Sequence, residues 1–94
     1  MTQVAIRTFG PLTSVIGGHQ AQVEFPGTTV GDLLSELTAR FGAPMRGYLY
    51  PKDGALSDML FVLVNGKNIE HLGGTSATLK DGDTVSILPI TAGG

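Results

Sequence analysis

The chain has 94 residues, of which 41% are apolar and 15% are charged, with a formal net charge of −2. This composition favours a folded chain over a disordered one and supplies too little positive charge to bind a phosphate backbone. The sequence contains no cysteine, which excludes disulfides, thiolate metal sites and side-chain thiol nucleophiles.

The sequence also gives little support for a membrane-spanning or a metal-binding protein. The longest apolar run, residues 59–64, falls far short of the roughly 18 residues that a membrane span needs, and the first ten residues do not resemble a signal peptide. We therefore expect one soluble, cytoplasmic domain over residues 1–94, without a membrane or nucleic-acid partner. His19 and His71 lie far apart in loop-like contexts, so we predict no metal site.

The N-terminal quarter predicts two strands. Residues 4–9 and 20–25 are rich in β-branched and aromatic side chains, and the second segment ends at Pro26-Gly27. We predict a hairpin with a wide loop between the two strands, in which Gly17-Gly18 supplies the turn.

A helix is predicted over residues 30–41. Its apolar residues recur at spacings of three, four and seven, which places them on one helix face: Val30, Leu33, Leu34, Leu37 and Phe41. Thr29 and Asp32 resemble a capping box, with Asp in place of the usual Glu. Gly42 fits a glycine C-cap, and Pro44 fits a residue that prevents the helix from continuing.

The next segment, residues 43–58, shows neither helical nor strand periodicity. We predict a long connection there, with a short arm or hairpin around Lys52-Asp53-Gly54. Residues 60–64 predict a strand, because they lead into Asn65-Gly66, a strong signal for a two-residue hairpin, and residues 67–69 predict the returning strand.

The last predicted elements are a tight turn at Lys80-Asp81-Gly82-Asp83 and a strand over residues 84–89 that ends at its proline. A hairpin, a helix and further strands in this order predict an α+β fold of the β-grasp type. Its mixed sheet has four to five strands, the first and last strands lie parallel in the middle, and one main helix covers one face.

Alternation along the strands divides the side chains between the two faces of the sheet. If Val4, Ile6 and Val85 pack against the helix together with Ile87, then Phe9 and Leu88 stand on the open face. Two large apolar side chains on a solvent face suggest a docking patch, although isolated exposed apolar residues are ordinary in proteins. The pattern alone leaves both interpretations open.

Two motifs and the final residues resemble a known family. The segment FVLVNGKNI and the ending LKDGDTVSILPITAGG are similar to the MoaD/ThiS family of ubiquitin-like sulfur carriers, and most similar to its MoaD branch. The order V-N-G, D-G-D, proline and Gly-Gly carries the resemblance, which spans nearly the whole sequence. In place of the second proline often found after Pro89, this chain has Ile90, and the segment 47–58 is longer than in compact members.

The resemblance implies that the carboxylate of Gly94 is adenylated with ATP by a ubiquitin-activating-type enzyme of the MoeB/ThiF kind and converted to a thiocarboxylate. Glycine suits this role because it has no Cβ to obstruct a narrow channel or the attack at the carbonyl, and Gly93 shares this property. We predict Phe9 and Leu88, together with Pro89 and Ile90, as partner-binding residues. The chain itself would bind no cofactor and would act as a carrier rather than as an enzyme on its own.

In the MoaD branch the tail enters a larger MoaE-type subunit, so the resemblance implies the small subunit of molybdopterin synthase. Three alternatives remain open: a sulfur carrier for thiamin or tRNA thiolation, a ubiquitin-like modifier joined to lysines through Gly94, and a plain β-grasp binding module. Carrier and modifier share the adenylation step, so the sequence does not separate them.

Overall fold

The computed structural model describes residues 1–51, 56–57 and 60–89. Within these ranges the strands are β1 (Thr2–Thr8), β2 (Gln20–Phe25), β3 (Leu60–Val64), β4 (Lys67–Asn68) and β5 (Thr84–Pro89). The α-helices are α1 (Leu12–Ile16), α2 (Val30–Phe41) and α3 (Ala43–Leu49), and two 3₁₀ helices cover Ile69–His71 and Gly74–Ser76. None of these helices is long and apolar enough to cross a membrane.

The strands form one mixed sheet in the order β2-β1-β5-β3-β4. The central pair, β1 and β5, is parallel, and the other neighbours are antiparallel. This topology confirms the β-grasp layout, in which the chain crosses from the β1–β2 hairpin through a helix before the remaining strands complete the sheet.

The hydrophobic core lies between one sheet face and the helices. Its strand contribution includes Val4, Ile6, Val85 and Ile87, all fully buried, as the alternation predicted. From α2 the core receives Val30, Leu33, Leu34 and Leu37. Burial on this scale supplies the main stabilisation, at about 1.5–3 kcal/mol for each fully buried aliphatic side chain.

The predicted helix and its capping box are confirmed in α2. The amide of Asp32 donates to Oγ1 of Thr29 at 3.1 Å, while Oδ2 of Asp32 accepts from the amides of Thr28 at 3.1 Å and Thr29 at 3.2 Å. Hydrogen bonds to the Asp32 carboxylate, first from the amide of Thr28 and then from Thr29, lower the pKa of this carboxyl because they favour its charged form. Gly42 ends the helix at a φ of 71°, and its amide donates to the carbonyl of Thr38 at 2.8 Å.

The predicted plain loop over residues 10–19 is wrong, because it contains α1. Leu12, on the first turn of this short helix, is fully buried in the core, and this contact stabilises a segment too short to be helical by itself. Gly17 ends α1 in the left-handed conformation, so it serves as a helix C-cap rather than as a hairpin turn.

The predicted irregular connection over residues 43–58 is wrong at its start, which forms α3. Pro44 occupies the first turn of this helix, where its missing N–H costs no hydrogen bond. Met45 and Leu49, four residues apart, lie on one face and are fully buried. The predicted hairpin around Lys52-Asp53-Gly54 lies outside the described residues.

The hairpin at Asn65-Gly66 is confirmed, with positive φ values of 51° and 86° as its type requires. The returning strand is shorter than predicted. It ends at Asn68, whose Oδ1 accepts from the amide of Glu70 at 2.9 Å and starts a 3₁₀ helix. Ile69 therefore enters the core from this helix rather than from the strand.

Candidate functional site

The open face of the sheet carries an apolar patch, which consists of Phe9, Phe61, Leu63 and Leu88. Phe9 is 37% exposed and Phe61 is 46% exposed, while the two leucines are half-buried. Phe61 pairs directly with Leu88 across the β3–β5 ladder. Thr8 pairs with Ile87, so Phe9, one residue further along, lies beside Leu88. The four side chains therefore form one continuous surface.

A hollow of about 450 Å³ opens within this surface. Its lining combines three members of the apolar patch with polar and charged groups: Phe9, Leu63, Leu88, Arg7, Thr84 and Ser86. An apolar surface with a polar margin is the usual anatomy of a protein–protein contact.

Arg7 supplies the charge at this hollow. The Cζ atom of its guanidinium lies 5.8 Å from the centroid of the Phe9 ring, within the range of a cation–π interaction. Among the described residues on the open face of β1, β3 and β5, it is the one charged side chain. A partner surface that carries a carboxylate would complement it.

The V-N-G and D-G-D motifs meet at the end of the sheet away from Pro89. Nδ2 of Asn65 donates to Oδ1 of Asp83 at 3.0 Å, and Oδ1 of Asn65 accepts from the amide of Thr84 at 2.9 Å. The other carboxylate oxygen of Asp83 accepts from the amide of Lys80 at 2.9 Å. The two turns therefore hold each other and fix the start of β5.

The end of β5 lies beside the apolar patch. Pro89, its last residue, is half-buried and pairs with Leu60 of β3. A Cβ placed on Gly10 would lie 3.1 Å from Cγ of Pro89, so the turn after β1 contacts the proline ring closely. The remaining predicted site residues, Ile90, Gly93 and Gly94, lie outside the described residues.

Other titratable groups do not gather into a site in the described part of the chain. No group of three or more His, Asp or Glu residues there could hold a metal ion, and both histidines are exposed. Burial raises the pKa of the Tyr50 hydroxyl, which lies away from the apolar patch on the helical side. The sheet face and the segment after β5 are thus the features with functional potential.

Sequence reasoning found half of the apolar patch. Phe9 and Leu88 followed from strand alternation, and the structure places them together on the open face. Phe61 and Leu63 were missed, because the run over residues 59–64 is apolar on both faces and shows no alternation. Their signal is the antiparallel register with β5, in which Phe61 must share a face with Leu88.

A mixed β-grasp sheet, a helix across one face and an apolar patch beside the end of the last strand define a ubiquitin-like protein. Comparison with known proteins agrees with this class. The ThiS family model matches residues 6–94. The chain belongs to the ThiS family of ubiquitin-like sulfur carriers and modifiers.

Two relatives illustrate the breadth of this family. Small archaeal modifier protein 3 of Haloferax volcanii is 34% identical over 93 residues, which cover 98% of this chain and 99% of that protein. The sulfur carrier protein CysO of Mycobacterium tuberculosis is 33% identical over 78 residues, which cover 82% of this chain and 84% of CysO.

Solved structures are similar over nearly the whole chain. Small archaeal modifier protein 1 of Methanosarcina acetivorans has a TM-score of 0.84 at 31% identity, with 100% of this chain and 98% of that chain covered. A chain of the Amycolatopsis orientalis BexX/CysO complex has a TM-score of 0.78 at 32% identity, with 97% and 99% covered. A Pyrococcus furiosus protein described as subunit 1 of a molybdopterin converting factor has a TM-score of 0.71 at 25% identity, with 97% and 100% covered.

Proposed function

We propose that this chain is a sulfur carrier whose reactive group is the carboxylate of Gly94. The observation that carries the proposal is the family match, which extends through residue 94. The position of β5 supports it, because the strand ends beside the apolar patch and residues 90–94 follow directly. A partner that docks on this face would therefore meet the segment that it has to modify.

The chemistry begins with the poor reactivity of a carboxylate towards nucleophiles. Attack of a Gly94 carboxylate oxygen on the α-phosphate of ATP releases pyrophosphate and gives an acyl-adenylate, from which AMP is a good leaving group. The terminal sulfur of a persulfide then displaces AMP and forms an acyl disulfide. A thiol attacks the donor's sulfur in this disulfide, so that the donor leaves as a disulfide with that thiol and the thiocarboxylate of Gly94 is released. We assign ATP and the catalytic groups to a ubiquitin-activating-type enzyme of the MoeB/ThiF kind, and no bound cofactor to this chain.

The sheet face supplies the docking surface in this proposal. Phe9 and Leu88 would bury apolar area in a partner, and Pro89 and Ile90 would continue the contact along the segment that follows. Such a contact gains most of its free energy from a few central apolar and aromatic side chains. The complex of CysO with BexX supports the expectation that a family member of this size acts together with a partner protein.

The acceptor of the sulfur is the narrower part of the proposal. The small subunit of molybdopterin synthase, with a MoaE-type large subunit as partner, is supported by the MoaD-like ending and by the similarity to the Pyrococcus furiosus converting factor subunit. The similarity to CysO supports the carrier role but does not indicate molybdopterin as the acceptor of the sulfur. We therefore propose the carrier role first and molybdopterin as its first acceptor to test.

A second candidate is a protein modifier joined to lysines through Gly94. The 34% identity to small archaeal modifier protein 3, over 99% of that protein, favours it. Carrier and modifier share the acyl-adenylate and differ in the nucleophile that attacks it, which is sulfur in the first case and a lysine amine in the second.

Intact-mass measurement after activation tests the proposal. The chain is incubated with its adenylating enzyme, ATP, a persulfide donor and a thiol reductant, and a parallel sample without ATP is the control. We expect the chain to exchange one oxygen for sulfur in the sample with ATP and to remain unchanged in the control without ATP. Reversal of this change by a pterin precursor with a MoaE-type subunit would identify the molybdopterin branch.

Two other outcomes are distinct. A thiocarboxylate that is stable towards the pterin precursor would contradict the molybdopterin branch but not the carrier role. Conjugates between Gly94 and lysine side chains, without any thiocarboxylate, would contradict the carrier role and favour the modifier.

A further inference from the structure

The turn between β1 and α1 packs against the last residue of β5. Gly10 lies in this turn at a φ of +64°, a left-handed conformation that favours glycine. An ideal Cβ at this position would lie 3.1 Å from Cγ of Pro89 and 3.9 Å from its Cδ. The proline ring therefore rests on the backbone of the turn in space that any side chain at residue 10 would occupy.

This contact supports β5 at the point where its ladder with β1 has ended. The register between β1 and β5 runs from Ala5 with Thr84 to Thr8 with Ile87, whereas the ladder with β3 continues to Leu60 with Pro89. Pro89 has no N–H to donate on either side. In the described structure, the turn at Gly10 packs against Pro89 on the β1 side.

The turn also connects this support to the docking surface. Phe9 of the apolar patch directly precedes Gly10, and Leu88 of the same patch directly precedes Pro89. The Gly10–Pro89 contact therefore contributes, together with the β3 ladder, to the position of the end of β5 relative to the surface on which a partner would dock.

We propose that Gly10 is a positioning residue for the activation of Gly94, an inference that rests on the proposed function. Residues 90–94 span at most about 17 Å when fully extended, so the site of adenylation must lie within that reach of Pro89. A partner that is docked on the apolar patch fixes the position of the patch relative to the partner's site of adenylation. A shift of Pro89 against the patch then moves the starting point of this segment without changing the four residues of the apolar patch.

Such a shift is expected to change turnover rather than binding. Catalysis is sensitive to misplacement of reacting groups, since about 1 Å can cost about 100-fold in rate. A methyl group 3.1 Å from the proline ring requires the ring or the turn to move by a few tenths of an ångström. We therefore expect Gly10→Ala to lower kcat by about 4-fold, with KM unchanged within about twofold.

Steady-state ATP–pyrophosphate exchange with the adenylating enzyme measures both constants. The matched control is Gly17→Ala, because Gly17 also has a positive φ, +92°, but a Cβ there would meet nothing within 4 Å. Both variants introduce backbone strain and are expected to lose about 5 °C in Tm. Only Gly10→Ala is expected to lose kcat, so the kinetic readout separates positioning from stability.

Pro89→Ala provides a second route to the same contact without strain at residue 10. Removal of the ring is expected to lower kcat and, because Pro89 is also part of the proposed docking contact, to raise KM. Gly10→Ala is expected to change kcat by less than about twofold in this background, because the two changes remove one interaction. Three outcomes would overturn the positioning role of Gly10 without affecting the proposed function. They are equal kcat losses from Gly10→Ala in both backgrounds, an effect of Gly10→Ala that is confined to KM, and equal kcat effects of Gly10→Ala and Gly17→Ala. A wild-type chain that supports no exchange would overturn the proposed function as well.

Discussion

The two faces of β5 are expected to respond in opposite ways to the same substitution. Ile87 and Leu88 are neighbours in sequence, but Ile87 is fully buried on the helical side whereas Leu88 is half-buried in the apolar patch. We compare Ile87→Glu with Leu88→Glu, which introduce the same charge into the same strand one residue apart.

The expected magnitudes follow from these positions. An unpaired carboxylate in place of Ile87 costs several kcal/mol, a large part of the roughly 5–15 kcal/mol that stabilises a typical domain. Leu88 is only partly buried, so Leu88→Glu loses less than the roughly 1.5–3 kcal/mol of a fully buried side chain and leaves the new carboxylate in reach of water. In a complex, however, the same change forces a charge into a desolvated contact and should weaken partner binding by about 1–3 kcal/mol, or about 5- to 150-fold in Kd.

Urea unfolding measures the free energy of unfolding, and titration calorimetry with the adenylating enzyme measures Kd. We expect Leu88→Glu to remain folded and to bind weakly, and Ile87→Glu to be unfolded or nearly so without urea. Phe9→Glu, on the same patch, should behave like Leu88→Glu. If Leu88→Glu unfolds the chain while the folded fraction binds with unchanged Kd, the assignment of the open face as the docking surface is refuted.

Three further predictions concern polar groups. Hydrogen bonds lower the pKa of the Asp32 carboxyl in the folded chain. Its stabilising contribution is therefore present above the pKa of Asp32 in the unfolded chain, about 3.9, and is lost as the pH falls through the lower pKa of the folded chain. Asp32→Asn should be less stable than wild type in urea at pH 7, with the difference vanishing at low pH, and a difference that stays constant with pH would contradict this. Asn65→Ala and Asp83→Ala should each cost about 1–2 kcal/mol in urea unfolding, and the double variant should cost less than their sum because the residues share a hydrogen bond; strict additivity would show that the two turns are independent. Arg7→Gln should slow association with the adenylating enzyme several-fold at low salt and little at high salt. Lys67→Gln, which removes an exposed cation outside the apolar patch, should leave the association rate unchanged. Equal effects of the two variants in stopped-flow measurements would exclude a specific role for Arg7.

Local signals predicted the elements that local interactions specify. The bounds of β2 and α2 agree with the prediction, because a turn dipeptide ends β2 and a capping box and a glycine bracket α2. The hairpin at Asn65-Gly66 followed from its dipeptide alone. In each case the residues that determine the structure lie within a few positions of one another.

The short helices could not be predicted in this way. The α1 segment has five residues between Gly10 and Gly17, and α3 follows a glycine and contains Pro44 and Gly47, all of which are typical of loops. Burial of Leu12, and of Met45 with its helix neighbour Leu49, stabilises these segments, and such burial depends on the completed core.

The residues of the candidate site likewise fall into those that a local sequence pattern predicts and those that depend on distant contacts. Phe9 and Leu88 were found because alternation assigns a face once the strand order is inferred. The Gly10–Pro89 contact joins residues 79 positions apart in sequence, and the contact between Asn65 and Asp83 joins two turns that each look ordinary alone. Neither contact has a local signature, so each required the register of β5 against its neighbours.

The most direct test of the sulfur-carrier role is to locate the sulfur on the activated chain by fragmentation mass spectrometry. Because the sequence has no cysteine, sulfur that is retained after denaturation is predicted to lie on the carbonyl of Gly94 and on no other residue. A variant without Gly93 and Gly94 should fold normally and acquire no sulfur. Sulfur at another residue, or normal sulfur transfer to the shortened variant, would contradict the assignment of Gly94 as the reactive group.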